Sequence, residues 1–300
     1  WSKNVFLFAG IVFAQKLGDL TSVQNAILGF LAFCLLSSTV YEVNDMRDRE
    51  EDKLHPKKRN RPIASGQVSV QSAMSLAIGL CIVALLASYF LLDVKFFIVA
   101  VAYLILQALY IFWLKQQVLI DVIVIGLGFV LRAIAGAVAV HAVISPWLVT
   151  CTFTLCLFMG FSKRRCELNA LSGNGDAART HRKTLGLYTP ELLNHMTTLA
   201  AGIAVVSFML YAMDDRTLKN FGTNYLIYTL PIVVYAIFRF AFLVEHGLVS
   251  GPTEVMINDR PFQAALVLWL IAVIVIINKG LTIHEWLSQN SPHTLSQTPL

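Results

Sequence analysis

Long, nearly uninterrupted apolar runs dominate this chain, and they leave it few ways to fold. Crossing the hydrocarbon of a bilayer takes roughly 20 apolar residues in a helix, and runs of that order recur along the whole sequence. Polar breakers divide them into nine candidate helices at about 3–17, 22–48, 69–92, 94–114, 118–140, 145–168, 189–212, 222–245 and 261–280. Of the 300 residues, 57% are apolar and 14% charged, whereas a soluble domain has about 45–50% and 25%. That balance excludes a disordered chain, a disulfide scaffold and an ordinary cytosolic enzyme. The expected fold is therefore an all-α integral membrane bundle of nine transmembrane helices. Residues 1–286 form its single domain, and 287–300 a polar tail rich in Ser, Thr and Pro. The chain opens at Trp1 rather than Met, so a short preceding piece is expected, and no cleavable signal peptide is evident. Cys34, Cys81, Cys151 and Cys156 lie in apolar runs, Cys166 lies near a polar loop, and none forms a CxxC pair. They read as small hydrophobes rather than metal or disulfide ligands.

Charge supplies the topology. Three connections are long and polar, at 46–66, 162–188 and 246–260, and with the N-terminus inside all three share one face. The first carries Arg47, Arg49, Lys53, Lys57, Lys58, Arg59 and Arg61. The second carries Lys163, Arg164, Arg165, Arg179, Arg182 and Lys183. With Lys3, Lys115, Arg239 and Arg260 this face holds seventeen of the 23 basic residues. Cytoplasmic loops concentrate Lys and Arg, so the face is cytoplasmic and the chain a multi-pass protein of the inner (cytoplasmic) membrane. The net charge of +5 thus reflects topology, and nucleic acid is not an expected partner.

The end of the second helix is the most informative stretch. In Tyr41-Glu-Val-Asn-Asp-Met-Arg-Asp-Arg-Glu-Glu-Asp52, residues Asn44, Asp48 and Asp52 are spaced i, i+4, i+8, which places them on one helical face. Asp45 lies one position round. Four oxygen-bearing side chains on one stripe repel each other unless a cation joins them, and hard oxygen donors suit Mg2+ carried with substrate phosphates. A solvated helix end is the plainer reading, but this stripe begins inside a hydrophobic span and seven basic residues lie in the loop it leads into. Among those, Lys58, Arg59 and Arg61 are candidate clamps for a diphosphate. Pro62 and Gly66 turn the chain back into the membrane.

This pattern, Asn44-Asp45-x-x-Asp48-x-x-x-Asp52 followed by His55-Pro-x-x-x-x-Arg61-Pro-Ile-Ala-Ser-Gly66, resembles the first signature of the UbiA superfamily of intramembrane prenyltransferases. The resemblance implies a nine-helix bundle with a Mg2+-diphosphate site at the cytoplasmic helix ends. Typical members carry a second DxxxD after helix six. Here the sequence reads Lys163-Arg164-x-x-Glu167, then Arg182-Lys-Thr-Leu-Gly-Leu-Tyr188. That form is similar to the decaprenyl-phosphate phosphoribosyltransferase branch, as are Lys3-Asn4, Tyr110 to Lys115, Asp121 through Arg132 to Gly136, and Pro252-Thr-Glu254. The resemblance implies transfer of phosphoribose from phosphoribosyl diphosphate (PRPP) to a polyprenyl phosphate, serving cell-envelope glycan precursors. Lys3, Asn4, Tyr110, Lys115, Arg132, Lys163, Arg164, Glu167, Arg182 and Tyr188 are thereby implied as substrate-binding, and Asp45 and Asp48 as catalytic.

The departure has a chemical rationale. Phosphoribosyl transfer holds a diphosphate, a 5-phosphate and an acceptor phosphate together, which calls for cations where a prenyltransferase uses carboxylates. The acceptor is already an anion, so no general base is needed, and His55 and His181 read as loop residues. Several assignments stay open between function and structure. Glu167 either orients Lys163 and Arg164 or forms an ordinary helix ion pair. Arg132, deep in helix five, contacts a lipid phosphate or a structural partner such as Glu42. Lys3 and Asn4 touch a phosphate at the cytoplasmic rim, or Lys3 merely anchors the helix. Gly126, Gly128 and Gly136 read as close helix packing, because no strand precedes them. The alternatives are a conventional UbiA-type prenyltransferase with an aromatic acceptor, and a non-catalytic transporter or lipid-binding protein. A homo-oligomer is left open.

Overall fold

The computed structural model describes residues 1–54, 58–171 and 185–289, and every regular element among them is helical. The chain falls into two compact units, Trp1–Thr198 and Leu199–Leu300.

The first unit opens with α1, Ser2–Phe13, whose first seven residues are 3₁₀ helix and last five α-helix. Helix α2 (Leu20–Arg47) starts where Asp19 accepts from the Ser22 amide at 3.1 Å. Its 28 residues span about 42 Å at 1.5 Å each, more than the roughly 30 Å of hydrocarbon, so the helix outruns an apolar layer. Asp48 leaves helical geometry (φ −92°, ψ 5°) and a short α3 (Arg49–Leu54) follows. Gly66, at φ +81°, closes the return to α4 (Val70–Ala87), which Ser69 caps through the Ser72 amide at 3.1 Å. Helices α5 (Val94–Phe112), α6 (Ile120–Ala139) and α7 (Pro146–Leu171) complete the unit before α8 (Pro190–Met213), which runs across its boundary.

Helix α6 is the axis of this unit: 67% of its span is buried, against 17% for α4. Phe33 and Leu36 of α2, Phe96 and Tyr103 of α5, and Ala135 and Ala139 of α6 meet in one core with Leu7 of α1. In lipid, helices associate through close packing rather than hydrophobic expulsion, and small residues permit it here. A Cβ at Gly136 would lie 1.8 Å from the Leu7 carbonyl oxygen, and one at Gly10 would lie 2.3 Å from the Gly136 carbonyl carbon. Gly126 sits against Phe153, and Gly128 against Gln107. The packing role expected of these glycines is the one they play.

In the second unit Asp214 caps α9 (Asp215–Phe221) and Gly222 ends it at φ +71°. Helices α10 (Leu230–Glu245), α11 (Pro252–Asn258) and α12 (Arg260–Gln289) follow. Arg239 donates to both oxygens of Asp259 at 3.2 and 2.8 Å, and Asp259 in turn accepts from the Phe262 amide at 2.8 Å. The Arg239 guanidinium holds the Asp259 carboxyl below its usual range, so this cap stays ionised.

Seven helices among the described residues are long and apolar enough to cross a membrane, and the protein is multi-pass. The nine spans expected are not all reached by that measure. Ser2–Phe13 is about 20 Å long, too short for the span expected at 3–17. Pro146–Leu171 has the length and is not among the seven; it carries Thr150, Thr152, Thr154 and the polar run from Ser162 to Arg165. The helix expected at 261–280 continues to Gln289, into the expected tail. The rest of that tail, from 290, lies outside the described residues.

Candidate active site

Two polar clusters in the first unit gather most of the expected site residues. One surrounds the end of α2. Lys115, carried by a 3₁₀ turn at Leu114–Gln116, donates to Asp48 and approaches Asn44 Oδ1 at 3.4 Å. Arg61 Nη1 donates to Asp45 Oδ1 at 2.7 Å and to Asp52 Oδ2 at 2.9 Å. Lys58 Nζ stands 3.7 Å from Asp52 Oδ1, and Asp52 is buried. Arg59 is exposed nearby.

This arrangement corrects the single stripe expected of Asn44, Asp48 and Asp52. Helix α2 breaks at Asp48, so Asp52 belongs to α3, and the oxygens divide into one pair facing Lys115 and another facing Arg61. Among the described residues no three Asp, Glu, His or Cys side chains gather as a ready metal cage. Their chemistry still fits a hard divalent cation, which binds through one or two carboxylates and completes its shell with phosphate and water. The cations already there explain how so many acids coexist: each of the three carboxylates has a basic partner that can move to an incoming phosphate.

The second cluster is built where α6 begins and α7 ends. Arg164, almost wholly buried, donates from Nε to Asp121 Oδ2 at 3.0 Å and from Nη1 to Glu167 Oε2 at 2.5 Å. Glu167 also lies 3.8 Å from Lys163, whose side chain is half exposed. Glu167 therefore orients both cations and is an i, i+3 and i, i+4 ion-pair partner at the same time. Tyr188 donates its hydroxyl to Asp121 Oδ1 at 2.9 Å and accepts the Leu119 amide at 2.7 Å. Burial pushes that hydroxyl up to about 12, so it stays protonated as the donor to Asp121. Tyr110 lies within electrostatic reach of Arg164. Arg182 lies outside the described residues, as do His55 and His181.

Arg132, Asn4 and Lys3 stand apart from both clusters. Arg132 donates to Asn4 Oδ1 at 2.8 Å, to the Gly128 carbonyl at 2.9 Å and to the Tyr103 hydroxyl at 2.8 Å. Its guanidinium carbon lies 4.8 Å from the Tyr103 ring centroid. Glu42 is not among these partners. Asn4, buried beneath α2, also accepts from Ser37 and donates to Cys34. It sits alongside the middle of α2 rather than at a rim, because α1 packs lengthwise on α2 and α6.

Sequence reasoning gave Asp121 and Tyr103 no role of their own. An acid at the first turn of an apolar helix was the available signal for Asp121. For Tyr103, one aromatic residue in an apolar helix, there was none.

The UbiA prenyltransferase family model matches residues 4–257. The chain belongs to that family. It is 35% identical over 280 residues to the decaprenyl-phosphate phosphoribosyltransferase of Mycolicibacterium smegmatis, covering 90% of this chain and 87% of that one. With the protein of the same name from Corynebacterium glutamicum it shares 32% over 281 residues, covering 92% and 83%. Its fold matches a solved UbiA homolog from Archaeoglobus fulgidus, bound to DMAPP and Mg2+, with a TM-score of 0.69 at 18% identity over 92% of this chain and 95% of that one. The oxygen donors present at the α2 end suit a hard divalent cation.

Proposed function

We propose that this UbiA-family protein transfers 5-phosphoribose from PRPP to a polyprenyl phosphate of decaprenyl type, releasing diphosphate, in the supply of cell-envelope glycan precursors. We place its active site on the cytoplasmic face of the inner membrane, with residues 1–286 acting as one catalytic domain. The relatives named decaprenyl-phosphate phosphoribosyltransferase support this reading over most of the chain. The observation that carries it is the second cluster, where buried Arg164 and half-exposed Lys163 stand in place of a second pair of carboxylates.

Mg2+, held through Asp45, Asp48, Asn44 and Asp52, would neutralise charge gathering on the departing diphosphate. The protein's own groups do the rest. Lys58, Arg59, Arg61 and Lys115 bind phosphate oxygens and stabilise the same developing charge. Lys163, Arg164 and, on the resemblance alone, Arg182 are assigned to the other phosphates, with Tyr110 and Tyr188 supporting them. Asp45 and Asp48, freed from Arg61 and Lys115, would steady positive charge at C1 of the ribose. The lipid phosphate attacks as an anion, so no proton has to be removed first. Arg132, with Asn4 and Lys3, forms a deeper polar station on the lipid's side of the site.

The test is to incubate membranes containing the protein with labelled PRPP, a polyprenyl phosphate and Mg2+. A chloroform-soluble pentose phosphate is expected, and EDTA should abolish it. No such product, together with prenylation of an aromatic acid from a prenyl diphosphate, would overturn the proposal in favour of a conventional prenyltransferase.

A further inference from the structure

The two clusters are joined by one short piece of backbone. Leu119, between Lys115 and α6, has φ +68° and ψ −46°, and the Ile120 amide donates to the Val118 carbonyl at 2.8 Å. That is a γ-turn of the strained, positive-φ kind. A leucine adopts it only where its surroundings impose it. The restraint is visible: the Tyr188 hydroxyl accepts a hydrogen bond from the Leu119 amide and donates one to Asp121, two residues further on. Asp121 is wholly buried, and its other oxygen holds Arg164 Nε. One carboxylate therefore fixes the buried guanidinium of Arg164 and, through Tyr188, the turn that follows Lys115.

We propose that Asp121 is a positioning residue, which sets Arg164 and the Lys115 turn in register so that cations of both clusters meet one diphosphate-bearing substrate. The proposal rests on the phosphate-binding role given above to Lys115 and Arg164. An uncharged Asn at 121 keeps the shape but loses the anion that aims Arg164. An Arg fork binds a phosphate in two-point fashion only while its plane is held.

The measurement is calorimetric binding of inorganic diphosphate with Mg2+, and of PRPP, to detergent-solubilised full-length protein. Asp121→Asn should weaken both by about tenfold or more, while the KM for the polyprenyl phosphate stays within about twofold, since Asp121 holds Arg164 and Tyr188, whereas Arg132 on the lipid's side is held by Asn4, Gly128 and Tyr103. Arg164→Lys keeps the charge but not the fork. If Asp121 acts through Arg164, adding Asp121→Asn to that variant should cost less than about twofold more. Tyr188→Phe, which leaves Asp121 in place, should weaken diphosphate by a smaller factor of about three, and it covers the case that Asp121→Asn does not fold. Wild-type affinity in Asp121→Asn, or in Tyr188→Phe should Asp121→Asn not fold, would overturn the proposal. So would full multiplication of the Asp121 and Arg164 effects. A wild-type protein that binds diphosphate but moves no pentose would sink the proposed reaction and leave this binding comparison standing.

Discussion

The α2-end cluster and the Arg164 cluster hold similar residues in opposite ways. At the α2 end, the Arg61 side chain is 37% exposed and its Asp45 partner 26%. For Arg164 and Asp121 the values are 2% and 0%. Exposed pairs gain little, about 0–1 kcal/mol, because water competes and the side chains lose freedom. Buried pairs cost several kcal/mol to desolvate, and losing one partner strands the other. In the first cluster the part-exposed Arg61–Asp45 pair can therefore give way to a metal and a phosphate at small cost, whereas buried Asp52 keeps its need of a cation. The second cluster cannot, and it serves as the fixed frame against which the first rearranges.

That contrast can be broken by substitution. Asp48→Ala should cut turnover by at least about 100-fold while expression and thermal unfolding in detergent stay near wild type. A matching loss of stability would show that the α2 end is structural after all. Arg164→Met should destabilise the protein by about 3–5 kcal/mol, because Asp121 stays buried without its cation. A melting temperature unchanged from wild type would erase the distinction between the clusters. Gly136→Ala tests packing away from both, since its Cβ would meet the Leu7 carbonyl. A loss of about 1–3 kcal/mol with an unaltered KM for PRPP is expected. Arg61→Lys, which keeps a cation beside buried Asp52, should move stability by less than about 1 kcal/mol and show its effect in diphosphate affinity, so a large shift in melting would contradict an exchangeable site.

Much of this was legible in advance. Asn44, Asp45, Asp48 and Asp52 announced a cation-demanding end to a membrane helix because acids accumulate there against their mutual repulsion. Lys163, Arg164 and Glu167 are legible as i, i+3 and i, i+4 neighbours on α7, and the substrate role given to them came from the family resemblance. The break at Asp48 was not, since nothing in Met46-Arg47-Asp48-Arg49 forbids a continuous helix. Arg132 was seen as a buried charge, but its neutral partners Asn4, Gly128 and Tyr103 come from three different helices.

By itself the sequence determined the helical membrane class, the loops in which its charges gather and the residues of two charged motifs. Hydrophobic length, charge bias and i, i+4 spacing are local properties, and local order carries them. Which carboxylate meets which cation was decided only by tertiary structure. Asp121 and Arg164 are 43 positions apart and Asp48 and Lys115 are 67, and only helix packing brings such pairs within hydrogen-bonding distance.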